Sequence, residues 1–370
     1  MPMMANADAV EIDGIYYNII SKGEIAEVTS NPNNYSGDLV IPSNITYNGK
    51  NYPVKKIGDD SFKNCENLTS LIISDGVTEI GNYVFWFCKS LKSLTIPPSL
   101  NKIGNTPFLE CNSFSAVYIE DLTSWCQIDF PDGDNPIAYA NHLYLNNVEV
   151  IDLVIPNDVT LLRNSVFSGC KEFKTVTLPN SITSIGRRAF ENCIKLTKIN
   201  IPNNIKEIPM YMLCGCESIT SITIHDGITE IGQWAFEGCS KLETVKIGSN
   251  VATIGTFAFR KCPNLKDVYC EAKEVPSTRT DAFEDSYIEY VTLHVPEGCV
   301  DAYKAVEPWK NFKDIVEEGG TGINKIKEDI VSEPFDVYDV SGRRVLNCAS
   351  SLNGLPQGIY IVNGKKILKK

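Results

Sequence analysis

Leu91-Lys-Ser-Leu94-Thr-Ile96-Pro97-Pro-Ser-Leu100-Asn-Lys-Ile103-Gly104-Asn-Thr-Pro107-Phe108-Leu-Glu-Cys111 is the stretch on which the reading of the whole chain turns. Set beside the segments that begin at Leu68, Val150, Phe173, Leu196, Ile219, Leu242 and Leu265, it yields one pattern, L-x-x-L-x-I-P-x-x-V-x-x-I-G-x-x-A-F-x-x-C. The step is 23 residues. Cys65, Cys88 and Cys111 keep it, as do Cys170, Cys193, Cys216, Cys239 and Cys262. An apolar residue stands three places before each: Phe62, Phe85, Phe108, Phe167, Phe190, Leu213, Phe236 and Phe259. Leu-x-Ile alternates inward and outward like a short strand, Pro or Gly ends it, and Ile-Gly turns the chain again. One unit cannot enclose its own apolar side chains. Burial therefore requires coil stacked on coil, with strands paired in parallel about 4.8 Å apart.

The interval from Phe108 to Phe167 is 59 residues, thirteen more than two periods. The surplus is assigned to one enlarged coil over 114–149, whose segment Trp125-Cys-Gln-Ile-Asp-Phe-Pro-Asp-Gly-Asp-Asn-Pro reads as turn-rich. An inserted loop on a regular array is a natural place for function. A solenoid also needs its terminal apolar faces covered. Gly14 to Thr29 reads as a hairpin, and Ile45 to Val54 as a second one carrying the Asn48-Gly49 signal of a type I′ turn. Pro296 to Trp309 reads as a short helix closed by proline, with Trp309 over the last coil. The expected division is a hairpin cap over 1–34, an array over 35–295, a C-terminal cap over 296–317, a linker over 318–334 and a small β-hairpin tail over 335–370, with Ser341-Gly342 and Asn363-Gly364 turns.

The repeated unit resembles the leucine-rich repeat of the BspA-like bacterial surface proteins, over roughly residues 35 to 295. That resemblance implies a right-handed leucine-rich-repeat β-solenoid, a place at the cell surface or in the medium, and adhesion or other protein-binding roles. It implies no catalytic residues. The tail, with Val337-Tyr-Asp-Val-Ser-Gly-Arg-Arg-Val and Gly358-Ile-Tyr-Ile-Val-Asn-Gly-Lys-Lys, is similar to the C-terminal sorting domains of proteins exported by Bacteroidetes. The start, Met1-Pro-Met-Met-Ala-Asn-Ala, carries neither the basic nor the apolar region of a secretory leader.

Composition narrows the function classes. A net charge of -12 argues against nucleic acid and anionic membrane as partners, because phosphate binding needs clustered Lys and Arg. No apolar run approaches the length of a membrane span. Three histidines, His142, His225 and His294, leave little for a multi-histidine metal centre, and they accompany no recognisable catalytic motif. Thirteen cysteines could suggest disulfides or metal. An odd set with one thiol per coil instead reads as buried small hydrophobes, and Cys214-Gly-Cys216, the one close pair, has no CxxC partner nearby. No cofactor or metal is expected. The glycines of Ile-Gly recur once per coil and read as turn residues rather than a phosphate cradle.

Binding is where the pattern points. The middle outward positions of successive strands read Ile72, Thr95, Tyr118, Thr177, Asn200, Thr223, Lys246, Tyr269 and Thr292. Tyr118, Tyr269, Tyr290 and Trp125 of the enlarged coil are the aromatic side chains expected on the surface, where they could anchor a protein or stack on a sugar. The expectation is a non-enzymatic protein that binds another macromolecule along its strand face, with a glycan-binding module as the alternative.

Overall fold

A computed structural model describes residues 9–20, 22–131 and 134–318, and in the tail 323–324, 335–339, 343–349, 358–362 and 365–369. Stacked coils form a parallel β-solenoid of about eleven turns, with little helix. The coil from Ile219 to Lys241 shows why. Its strand Ser221–Ile224 turns Ile222 and Ile224 inward and Ser221 and Thr223 outward. A two-residue strand, Glu230–Ile231, follows on a second face. Ile219, Ile222, Ile224, Ile228, Ile231, Ala235, Phe236 and Cys239 are all buried, so one coil supplies a complete slice of core. Each large one contributes roughly 1.5–3 kcal/mol relative to exposure.

Stacking keeps the 23-residue step. Ile222 pairs with Val245 and Val245 with Val268 in the first face, and Ile231 with Ile254 in the second. The third side has no strand, yet its backbone is bonded coil to coil: the amides of Trp234, Phe236 and Gly238 donate to Thr256, Ala258 and Arg260 at 2.8–3.0 Å. Every side of the coil therefore satisfies its peptide groups in a neighbour. The Ile-Gly glycines are needed for close approach rather than for a left-handed turn. A Cβ on Gly232 would lie 2.7 Å from the Ile208 carbonyl oxygen, and one on Gly104 would lie 2.6 Å from Gly81.

Two ladders mark the axis. Phe236 stacks on Phe259 at 5.1 Å and Phe259 on Phe283 at 5.3 Å, as Phe62, Phe85 and Phe108 do at the other end. Beside them six of the eight ladder thiols donate to the carbonyl of the aromatic position one coil back, among them Cys88 to Phe62 at 3.0 Å, Cys216 to Phe190 at 3.2 Å and Cys239 to Leu213 at 3.3 Å. The twelve cysteines from Cys65 to Cys299 are free thiols. Burial pushes the thiols of Cys170 and Cys262 up to about 12.

The enlarged coil differs from its expected turn-rich form. Helix Leu122–Gln127 begins at Asp121, whose carboxylate accepts the Ser124 amide at 2.7 Å. A second helix, Pro136–Ala140, is capped by the buried Asn135, which also donates to the carbonyls of Ser165 and Ser168. Strand Leu143–Leu145 then pairs with Ala116–Ile119. It folds back through Asn146-Asn147 onto Val148–Glu149, and the array resumes at Asp152–Val154. A 26-residue step and one added hairpin thus absorb the surplus.

At the N-terminal end, Val10–Ile12, Ile15–Ile20 and Ile25–Val28 form an antiparallel ribbon that leads into the second face. Asn48 and Gly49, both at positive φ, close the hairpin Asn44–Tyr47 to Lys50–Ile57. At the other end helix Val300–Lys304 precedes a further parallel strand, Asp314–Glu318. Trp309 is buried there against Phe283, Tyr303 and Phe312. In the tail, Phe335–Asp339 pairs antiparallel with Arg344–Ala349 and with Gly358–Val362, and the latter with Lys365–Lys369. Ile323–Asn324, inside the expected linker, pairs parallel with Lys365–Lys369. The Ser341-Gly342 and Asn363-Gly364 turns and most of 318–334 lie outside the described residues.

Candidate binding face

The longer strand of each coil presents its middle residue straight outward, and exact register lines these residues up in rows. Val40 stands on Ile72, Ile72 on Thr95, Thr95 on Tyr118, and Tyr118 on Tyr144. Val40 is 54% exposed and Ile72 46%. The Tyr118 and Tyr144 rings lie face to face, 4.7 Å apart. Val154 stands on Thr177 in the next sheet. Further along, Thr223, Lys246, Tyr269, His294 and Val316 form a second long row.

His294, not Thr292, is the neighbour of Tyr269. The final coil carries two extra residues, so that Val268 pairs with Leu293, and Thr292 falls beside Asp267. The imidazole of His294 stacks on Tyr269 at 4.2 Å, its Nε2 lies 2.8 Å from Asp267 Oδ1, and the Lys246 ammonium sits 5.5 Å from the same tyrosine ring. Burial, with Asp267 and Glu318 nearby, raises the Tyr269 hydroxyl above its ordinary range. Asn200 turns back on its neighbour and bonds the amide and carbonyl of Leu178 at 2.8 Å.

Of the four aromatic candidates, Tyr118 and Tyr269 lie in the rows. Tyr290 is on the surface but off them, in the 3₁₀ turn Ile288–Tyr290. Trp125 is a correction: it is only 1% exposed, on helix Leu122–Gln127 under the next coil, with its indole Nε1 donating to Val166 O at 3.0 Å. It braces the insertion and offers nothing to a partner. Val40 and Tyr144 were missed by the sequence reading because their strands lie outside the regular F-x-x-C units, whereas Val154, inside the unit that begins at Val150, was passed over.

The histidines serve the scaffold. His225 Nδ1 accepts the Gly227 amide at 2.9 Å and its Nε2 lies 3.0 Å from the Pro202 carbonyl, while His142 pairs with Glu149 at 2.5 Å. Among the described residues, no hydroxyl or thiol is bonded to any imidazole, and no three His, Cys, Asp or Glu side chains converge as metal ligands. No described helix is long and apolar enough to cross a membrane. What this surface can do chemically is bury apolar and aromatic side chains against something else.

Comparison with known proteins agrees with that geometry. A family described as the BspA type leucine-rich repeat region matches in six copies, over residues 40–130, 139–266 and 195–298. A leucine-rich repeat protein from Bacteroides ovatus ATCC 8483 is 20% identical, covers 84% of this chain and 76% of its own, and superposes with a TM-score of 0.51. The pneumococcal vaccine antigen PcpA is 16% identical over 84% of this chain and 98% of its own, with a TM-score of 0.50. A leucine rich cell surface protein from Faecalibacterium prausnitzii A2-165 is 25% identical over 71% of this chain and 95% of its own, with a TM-score of 0.33. No curated protein matches the sequence. The first two solved structures share the fold, and the family pattern spans more than half of the residues: the chain belongs to the BspA-type leucine-rich repeat family.

Proposed function

We propose that this is a non-enzymatic protein of the cell surface or the medium that holds another protein against the outward rows of its long-strand sheet. The row Val40, Ile72, Thr95, Tyr118, Tyr144 carries the proposal. Folding needs the inward residues of these strands; it does not need a valine and an isoleucine half exposed side by side. Five in-register positions at about 4.8 Å span roughly 19 Å, the size of a central hot-spot cluster in a protein interface. The ring pairs favour a protein over a sugar. Tyr118 faces Tyr144, and Tyr269 faces His294, so the ring surfaces on which a sugar would stack are turned toward each other. Placement at the surface accords with the resemblance to BspA-like surface proteins.

The test uses a partner recovered with the intact chain and then titrated in purified form. Ile72→Ala, Tyr118→Ala and Tyr144→Ala together should weaken binding at least tenfold while far-UV circular dichroism stays unchanged. Unaltered affinity, or displacement of the partner by free oligosaccharide, would overturn the reading.

A further inference from the structure

The protein repeatedly builds one small surface device: an aromatic ring, a carboxylate, and a cation of its own that satisfies both. Arg188 lies 4.0 Å over the Tyr211 ring and bonds Glu191 at 2.6 Å. Arg260 lies 4.8 Å over Phe257 and contacts Glu237 at 3.3 Å and Glu284 at 2.7 Å. Lys63 sits 4.5 Å over Trp86 and 2.9 Å from Asp60. In each case the ring's negative face and the carboxylate share one positive charge.

A fourth site has exposed rings and one carboxylate, Glu289, that meets no cation among the described residues. The turn Tyr287-Ile288-Glu289-Tyr290 is formed where the last coil departs from the 23-residue step, and it is closed by the Tyr290 amide donating to the Tyr287 carbonyl at 2.9 Å. Ile288 packs against the core and does the work of anchoring the turn. Tyr287 and Tyr290 remain 55% and 74% exposed, on either side of the exposed Glu289. Glu284 and Asp285, also substantially exposed, precede them. Among the described residues neither ring is stacked on another, and no cation lies over either one. Arg260 is already held by Phe257, Glu237 and Glu284 and also reaches Asp285 at 4.0 Å, so Glu289 is the carboxylate left to a partner. Lys313 bonds the turn through its backbone amide, to the carbonyls of Ile288 and Val291.

We propose that the Tyr287–Tyr290 turn is a docking point for a basic segment of a partner protein, whose Arg or Lys side chain takes the place that Arg188, Arg260 and Lys63 take at the other three sites. Two open ring faces supply the cation–π contact and Glu289 the charge that favours a basic partner. This site is separate from the sheet rows and does not depend on the function proposed for them.

The experiment titrates the full chain with a labelled hexa-arginine peptide at physiological salt. Tyr287→Ala with Tyr290→Ala should weaken binding by roughly two- to fivefold per ring, and Tyr287→Phe with Tyr290→Phe should bind as the parent does. Because these changes leave the net charge untouched, wild-type affinity in the double-alanine variant would mean that the peptide is drawn by overall acidity alone, and the proposal would fall. Loss of binding in the double-phenylalanine variant equal to that in the double-alanine variant would overturn it too, since the ring and not the hydroxyl is the claimed ligand. Ile72→Ala, Tyr118→Ala and Tyr144→Ala should leave this titration unaltered, which keeps the two readings apart.

Discussion

Replacing Cys239 separates a packing role for the cysteine ladder from a redox one. Its thiol is buried and donates to Leu213 O at 3.3 Å. Alanine there removes one buried sulfur, about 1 kcal/mol of transfer free energy, and leaves a small cavity that adds several tenths more, so Cys239→Ala should cost about 1–2 kcal/mol. Serine keeps the shape. It buries a hydroxyl, which unpaired would cost about 1–3 kcal/mol, but the carbonyl that accepts the thiol can accept the hydroxyl instead. The last coil already contains that solution. Ser286 stands three residues after Phe283, where the other coils have cysteine, donates to Phe259 O at 2.5 Å and accepts the Cys262 amide at 2.9 Å. Cys239→Ser should therefore stay within about 1 kcal/mol of the parent in urea denaturation, with dithiothreitol leaving both midpoints where they are. A serine variant costlier than the alanine one would refute the packing argument. So would a midpoint that moves on reduction, since a lost structural disulfide costs about 2–5 kcal/mol.

Three other outcomes follow from the same packing. Burial raises the thiols of Cys65 and Cys270 to about 11 and those of Cys170 and Cys262 to about 12, from an ordinary value of 9.0. The unfolded chain thus releases protons that the folded chain keeps, so urea midpoints should hold steady below pH 8 and fall as pH rises from 9 toward 11; a flat or rising profile would contradict this. Trp309→Ala, which uncovers Phe283 and breaks the indole bond to Pro276 O at 3.3 Å, should cost about 3–5 kcal/mol. Hydrogen exchange should then quicken over 267–318 well before 152–200, because coils feel only their neighbours. Tyr211 and Trp234, both at positive φ, stack at 4.9 Å and 4°. A double-mutant cycle on them should return a coupling of about 0.5–1.5 kcal/mol, and Trp234→Asn should cost less than Trp234→Ala because Asn adopts the left-handed backbone more readily.

The array was legible because each coil repeats the same physical demand. Phe and Cys must recur wherever a side chain stands on its own copy, so the 23-residue step survives even where Leu213 replaces phenylalanine. Legibility ended where the step changed. In the enlarged coil the prolines and Asp-Gly of the segment outweighed a helical signal that was present: Asp121 as N-cap, then Leu122, Trp125 and Cys126 buried at i, i+3 and i+4 spacing. Trp125 consequently read as a surface residue. In the last coil two added residues moved His294 into the place given to Thr292. The outward positions Ile72, Thr95 and Tyr118, and Thr223, Lys246 and Tyr269, stack in register as expected, while Val154 was passed over and the row ends at Val40 and Tyr144 were missed.

Photo-crosslinking within the natural environment tests the claim that this protein acts through the outward rows of its long-strand sheet. A photoreactive amino acid at Ile72 or Thr95 samples that face, and one at Glu207 or Glu230 samples exposed positions on the short-strand face. The account predicts one protein captured from both Ile72 and Thr95 and absent from Glu207 and Glu230. Capture of that protein from the short-strand positions alone, or equally from both faces, would contradict it.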